Sequence, residues 1–275
     1  MGRVEQAPLW LMRPALGTFG AAVALGILVL SSAALADPRS SYDLVTHKAK
    51  AYDQDSGALV YTQTHRYLER DGKPVSADVV YTDASGQLYA KKALDFSDSA
   101  YAPFFETRDV KHDYREAFLP VADDGKGKLV SVAGDGQTKC DETFARDPKM
   151  VIDAGFNSFL ADHLQVIATG DTVKFDLYLA KACRGITFRA RRKSQTDGQL
   201  VVGIEPASFV FRMVVPETVA TYDAKTGQLL DYVGLSDLND RDGRNLAVRI
   251  VFEPPVRRPV TEARAQELQV RAGAL

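Results

Sequence analysis

The chain has 275 residues, 45% of them hydrophobic and 25% charged, and 34 Lys and Arg against 36 Asp and Glu give a net charge of -2. These proportions exclude long disorder, collagen and disulfide-dense mini-proteins. A nearly neutral chain also lacks the basic excess of a broad nucleic-acid footprint, and two cysteines and four histidines leave little material for soft-metal or thiol chemistry.

The first 36 residues carry a targeting pattern. Arg3 and Arg13 precede the apolar stretch Leu16 to Leu30, and Ser31-Ser32-Ala33-Ala34-Leu35-Ala36 follows. This is the positive region, apolar core and Ala-x-Ala site of a secretory signal peptide, and the apolar core is shorter than the roughly 20 residues a spanning helix needs. The expectation is cleavage after Ala36, by a route other than twin-arginine export because no Arg-Arg pair is present. The first cysteine is Cys140, so no lipidation site follows the leader. A soluble periplasmic chain of 239 residues with net charge -3 and no transmembrane segment is predicted. It reads as one domain over 37–256 with a C-terminal tail over 257–275.

Export gives Cys140 and Cys183 an oxidising reason to pair, since such compartments bridge thiols that a cytosol keeps reduced. Neither lies in a Cys-x-x-Cys motif. The other readings are a reactive thiol with a histidine partner or a redox pair.

From Ser41 the chain reads as strands parted by tight turns: Tyr42 to Tyr52, Ala58 to Glu69, Val75 to Thr82 and Gln87 to Phe96. The turns between them, Asp53 to Gly57, Arg70-Asp71-Gly72-Lys73 and Asp83-Ala84-Ser85-Gly86, are hairpin signals because glycine supplies the positive φ they require. Shorter strands are predicted at Phe104 to Val110, Tyr114 to Leu119 and Lys128 to Val132. One helix follows from Ala154 to Ala168, with Phe156, Phe159, Leu160, His163, Leu164 and Ile167 on a single face, Asp153 placed to cap it and Gly170 to end it. Clean alternation then returns in Val173 to Leu179, Ile186 to Arg191, Leu200 to Ile204 and Leu246 to Phe252, the pattern of a sheet with one buried and one wetted face. Phe209 to Val215 does not alternate and is either covered on both sides or a short helix. Thr261 to Val270 is polar with helical character. The fold class is mainly β (α+β): a curved antiparallel sheet forming an open half-barrel with a covering amphipathic helix.

Few constellations carry chemistry. Asp237 to Gly243 looks like a calcium loop, but starting at Asp237 puts Arg241 where an EF-hand needs an oxygen ligand and Asp242 where it needs glycine, so the run reads as a polar hairpin turn. His47, His65, His112 and His163 lack zinc spacing, and adjacent His112-Asp113 would point to opposite faces of a strand. His163 interrupts an apolar stripe, as either a core-edge histidine with one hydrogen bond or a polar group facing a lined cavity. Gly-x-Ser-x-Gly is absent. Arg189-Arg191-Arg192-Lys193 is either a phosphate or acidic-partner contact or the solvated face of a strand end. No catalytic residue, metal site or cofactor is predicted. Phe156, Phe159, His163, Leu164, Ile167, Phe175, Phe188 and Phe252 are the predicted ligand-lining residues, which either fill a core or line a crevice between helix and sheet.

The order of leader, early hairpins, one amphipathic helix and late meander resembles the periplasmic lipoprotein-carrier superfamily, whose members fold as an unclosed β-barrel with helices in its mouth. The segment Val219 to Ser236, followed by Asp242-Gly243-Arg244 and Val248-Arg249-Ile250, is closer to an uncharacterised group of exported proteobacterial proteins, a likeness that brings no activity. The first resemblance implies a lipid or acylated ligand in an apolar cavity. The leading expectation is therefore a non-enzymatic, soluble exported binding protein that shelters an apolar or lipid-like ligand, with the helix as a gate. The alternative is an envelope interaction or assembly protein with a filled core and a protein partner at a sheet edge or at the Arg189 to Lys193 face. A hydrolase of unknown class stands third.

Overall fold

The computed structural model describes residues 42–121, 125–147 and 149–272, so the predicted leader lies outside the described residues. The first half is a meander of eight strands: β1 (Tyr42–Asp53), β2 (Leu59–Arg70), β3 (Lys73–Asp83), β4 (Leu88–Asp95), β5 (Phe104–Asp109), β6 (Tyr114–Pro120), β7 (Lys126–Val132) and β8 (Thr138–Ala145). Each pairs antiparallel with the next. The turns form where the sequence placed them. Asp71 and Gly72 both adopt positive φ, 52° and 76°, the twist that matches a two-residue hairpin.

A short strand β9 (Met150–Ile152) leads into helix α1 (Gly155–Thr169), and the chain returns through β10 (Val173–Leu179), β11 (Arg184–Gln195) and β12 (Gln199–Pro206). A one-turn helix α2 (Phe209–Arg212) precedes β13 (Thr218–Asp223), β14 (Leu229–Asn239), β15 (Asn245–Phe252), β16 (Val256–Val260) and a last helix α3 (Glu262–Ala272). β10 to β15 are antiparallel, β9 runs parallel to β10, and β15 pairs with the second half of β1.

The strand path therefore begins at β8, passes through β1 and ends at β9. Yet only residues 146–149 separate β8 from β9 in the chain. Such a link spans roughly 17 Å, whereas a flat sheet of this many strands would be about 67 Å wide at the usual strand spacing. The sheet must roll until its ends approach. It does not close by a β8–β9 ladder among the described residues. Instead the Cys140–Cys183 disulfide, with Cα atoms 5.3 Å apart, and a bond from Ser131 Oγ to the Ala180 carbonyl at 3.2 Å tie the two ends together.

Apolar packing follows the roll. Ala49, Tyr61, Val79, Tyr81, Tyr89, Leu94, Phe105, Phe118 and Leu129 form one buried cluster that also takes in Met150, Ile152, Ala180 and Cys140. Val151 points the other way, into a second cluster under α1 with Phe159, Leu160, Ile167, Phe175, Phe188, Val202 and Tyr222. A third, small cluster seats Ala265 and Leu268 of α3 on Tyr42 and Leu68.

The fold is the predicted one: mainly β, one curved unclosed sheet, a covering helix. The structure adds to one local expectation, chooses between the alternatives of a second and revises a third. Within the predicted tail, Val256–Val260 pairs with Tyr42–Thr46, and α3 packs on the sheet beside it. Of the two forms predicted for Phe209 to Val215, Phe209–Arg212 takes the short helix, with Phe209, Val210, Met213 and Val214 exposed and Phe211 and Val215 partly buried. Asp153 does not cap α1: Ala154 holds the N-cap position without a side-chain bond, and the Asp153 carboxylate faces Lys92.

Candidate functional site

The interface between α1 and the sheet is aromatic. Phe156 and Phe159 meet Phe175 of β10 with ring centroids 5.8 and 4.9 Å apart, and Phe175 meets Phe188 of β11 at 6.1 Å, all within the range of favourable ring pairs. Leu164 and Ile167 complete the buried helix face. His163 Nδ1 lies 2.7 Å from the Phe159 carbonyl; a carbonyl only accepts, so that nitrogen carries the proton. Its ring stacks on Phe159 at 4.1 Å. Seven of the eight predicted ligand-lining residues thus gather here. Phe252 does not: it packs against the first cluster, 6.4 Å from the His65 ring. Alternation assigned its face correctly, but α1 covers β9 to β12 and not β15.

Both ends of α1 are held by polar contacts. At the C-terminal end Gly170 turns into the left-handed region at φ 103°, and Arg192 donates to the Ala168 carbonyl at 2.7 Å, satisfying an orphan acceptor where the helix dipole favours a cation. At the N-terminal end Asp153, itself at φ 47°, accepts from Lys92 Nζ at 2.7 Å.

Lys92 belongs to a row of side chains that crosses the concave face from β1 to β8: His47, His65, Val79, Lys92, Thr107, Glu116, Ser131 and Cys140 are successive cross-strand partners. Lys92 is 4% exposed and bonds both Asp153 and Asp237. Asp237 reaches it through a bulge, where Leu235 to Asn239 of β14 oppose only Ala247 to Asn245 of β15. Such extra residues re-aim a strand's side chains. The Asn245 amide repairs the ladder by donating to the Ser236 carbonyl, and Tyr81 OH donates to Asp237 at 3.1 Å.

Burial opposes every charge in this row. For Lys92 the two carboxylates outweigh burial and hold the ammonium well above its usual range. Asp237 is likewise pushed up by burial but carried below the usual carboxylate range by Lys92 and Tyr81. Asp153 stays above it, through burial and then the Asp237 charge, with Lys92 opposing. Glu116, 8% exposed and bonded by Tyr114 OH at 2.9 Å, is pushed up to about 7, first by burial and then by Asp153 and Asp237 against the pull of Lys92. His65 is pushed down to about 3 by burial and by His47.

A cleft of about 560 Å³ opens where the β5–β6, β7–β8 and β14–β15 turns meet, lined by His112, Tyr114, Ser131, Lys139, Lys181 and Asp240 among others. His112 Nδ1 pairs with Asp109 at 3.1 Å rather than with Asp113, and the same carboxylate accepts the backbone amides of Lys111 and His112. This is a local turn lock. The cluster Arg189 to Lys193 is largely answered within the chain: Arg189 and Arg191 pair with Glu205, Arg191 and Lys193 with Glu217, and Arg192 with α1.

The sequence reading missed Lys92, Glu116 and Asp153 as a group, and placed Asp237 in a hairpin turn. Residues 240–243 do make that turn, with Asp240 accepting the Asp242 and Arg244 amides, while Asp237 belongs to the bulge. Lys91-Lys92 in a strand was the available signal, because successive residues face opposite sides and one lysine had to point inward.

No family model matches the chain, and no curated protein matches it. It is similar to solved structures that include a β-barrel-like protein of a domain of unknown function, DUF1849, from Brucella abortus, at 11% identity and TM-score 0.36 over 79% of this chain and 97% of that one. A putative outer membrane lipoprotein-sorting protein domain from Vibrio parahaemolyticus is similar at 8% identity and TM-score 0.25, over 82% and 90%. A putative lipoprotein from Parabacteroides distasonis is similar at 10% identity and TM-score 0.26, over 78% and 95%. Likeness of this degree leaves function to the chain's own side chains.

Proposed function

We propose that the chain is an exported, non-enzymatic binding protein that shelters an apolar or lipid-like ligand in the trough between α1 and the inner face of β9 to β12. The observation that carries the reading is the attachment of α1. Its buried face is apolar and aromatic, left-handed residues bound it at Asp153 and Gly170, and its ends are held by Lys92 and Arg192. A helix held at its ends over an aromatic floor can lift and exchange its own rings for an acyl chain, a population shift toward a state the ligand prefers. Native mass spectrometry and lipid extraction of the exported protein, with fluorescent fatty-acid titration, test this: co-purifying lipid or saturable probe binding is expected, and their joint absence contradicts it.

The filled helix–sheet interface favours a second reading, an envelope interaction protein whose interior takes no ligand. Cross-linking in cells separates the two. A protein partner lost on charge reversal at Arg191, together with no probe binding, supports the second.

A further inference from the structure

Four large apolar side chains in one short segment stand almost clear of the protein. Phe209 and Val210 in α2 are each 70% exposed, and Met213 and Val214 just beyond it are 74% and 75% exposed. Exposed apolar side chains scattered singly need no explanation, whereas a contiguous group marks an interaction surface. At such exposure each side chain has few neighbours, so the group is a convex tip and not a groove. A convex apolar tip is covered more completely by a fluid phase that closes round it than by a fixed surface.

Charge narrows the occupant. Residues 207–216 contain no Asp or Glu. The nearest acids in sequence are Glu205, paired with Arg189 and Arg191, and Glu217, paired with Arg191 and Lys193. Two cations flank the tip. The Arg212 guanidinium lies 5.7 Å from the Phe209 ring and donates to the Pro206 and Ala207 carbonyls; the Arg184 guanidinium lies 5.4 Å from the Phe211 ring beside a small cleft of about 250 Å³. Neither forms a close ion pair among the described residues, although the Arg212 charge helps to lower the Glu205 carboxyl. A two-fold contact between copies through this tip would set each arginine against its equivalent. An anionic surface instead complements both.

We propose that Phe209 to Val215 is a membrane-docking tip, in which Phe209, Val210, Met213 and Val214 enter the apolar margin of a lipid bilayer while Arg184 and Arg212 meet anionic headgroups. Partition of this kind adds buried apolar area to attraction for anionic lipid, and the second contribution is screened by salt. The tip acts independently of whether the trough under α1 takes a ligand, and fatty-acid titration therefore does not decide it.

Protein from the exported fraction of cells expressing the full chain is sedimented with vesicles of phosphatidylcholine alone or with 30% phosphatidylglycerol. Binding to the anionic vesicles is expected to exceed binding to the neutral ones by about tenfold and to fall in high salt. The combined substitutions Phe209→Ser, Val210→Ser, Met213→Ser and Val214→Ser are expected to lower it by at least about tenfold without changing far-UV circular dichroism, and Arg184→Gln to reduce only the anionic preference. Phe209→Trp adds a reporter, since the one native tryptophan is Trp10, and its emission should shift to the blue on anionic vesicles. Equal sedimentation of wild type and the serine variant, or none of either, overturns the proposal. Dimerisation that the serine variant abolishes, with no vesicle binding, overturns it in favour of a second copy, and a protein cross-linked through position 209 with no vesicle binding overturns it in favour of a protein partner.

Discussion

The ammonium of Lys92 is enclosed on the concave face with the carboxylates of Asp153 and Asp237 as its ion-pair partners. Removing one member of a buried ion group leaves uncompensated charge, which costs about 3–5 kcal/mol, whereas replacing the whole group is near neutral. Lys92→Met should therefore lower urea-measured stability by about that amount, and by less in acid, where Asp153, already raised by burial, escapes the penalty by taking a proton. Lys92→Met with Asp153→Asn and Asp237→Asn should recover most of the loss. A cost of the single substitution below about 1 kcal/mol would show that water already reaches the group. Glu116 makes a separate prediction. Its folded pKa of about 7 lies above the ordinary 4.5, so the folded state holds an extra proton between those values; the associated stability is present below 4.5 and lost as pH rises through 7. Glu116→Gln should gain on wild type by on the order of 3 kcal/mol between pH 4.5 and pH 8, read from urea midpoints, and a difference independent of pH would refute the assignment. His65 acts at the other end: its lowered value means stability is lost as pH falls from 6.5 toward 3.

At the scale of elements, the sheet reaches its final roll through a covalent tie and not a ladder. The bridge closes a loop across a sequence separation of 43, and on the chain-entropy account it stabilises the fold by roughly 4 kcal/mol. Cys140→Ser with Cys183→Ser should lower the urea midpoint accordingly and speed proteolysis in the 146–149 link between β8 and β9. If the double variant unfolds like wild type, the Ser131–Ala180 bond and the apolar packing of Met150 and Ile152 hold the ends without the bridge. Much of this level was legible in the sequence. Asp-Gly and Ser-Gly turns fixed the hairpins because few residues tolerate their backbone, and α1 followed from the spacing of Phe156, Phe159, Leu160, Leu164 and Ile167. Lateral position was not legible: Phe252 shares the concave face with Phe188 but lies strands away from α1. Nor was the Asp237 bulge, which exists because β14 is longer than its partner across one interval, a mismatch of two strands that neither strand's pattern contains alone.

For the whole molecule, the rolled sheet places an aromatic helix–sheet interface and a charged row side by side, with Asp153 belonging to both. It follows Ile152 of β9 and precedes α1, so any movement of the helix start is coupled to the Lys92 ion pair. The docking tip at α2 is a further element of the same second half, joined to the trough through β12. A binding protein needs a region that opens at low cost, and such regions show first in hydrogen exchange. The most direct measurement is amide exchange across residues 155–169 of the purified protein with and without a long-chain fatty acid. The account predicts that the fatty acid changes α1 protection selectively, with β1 to β7 unaltered; identical exchange in α1 at concentrations that saturate a fluorescent fatty-acid probe would contradict it.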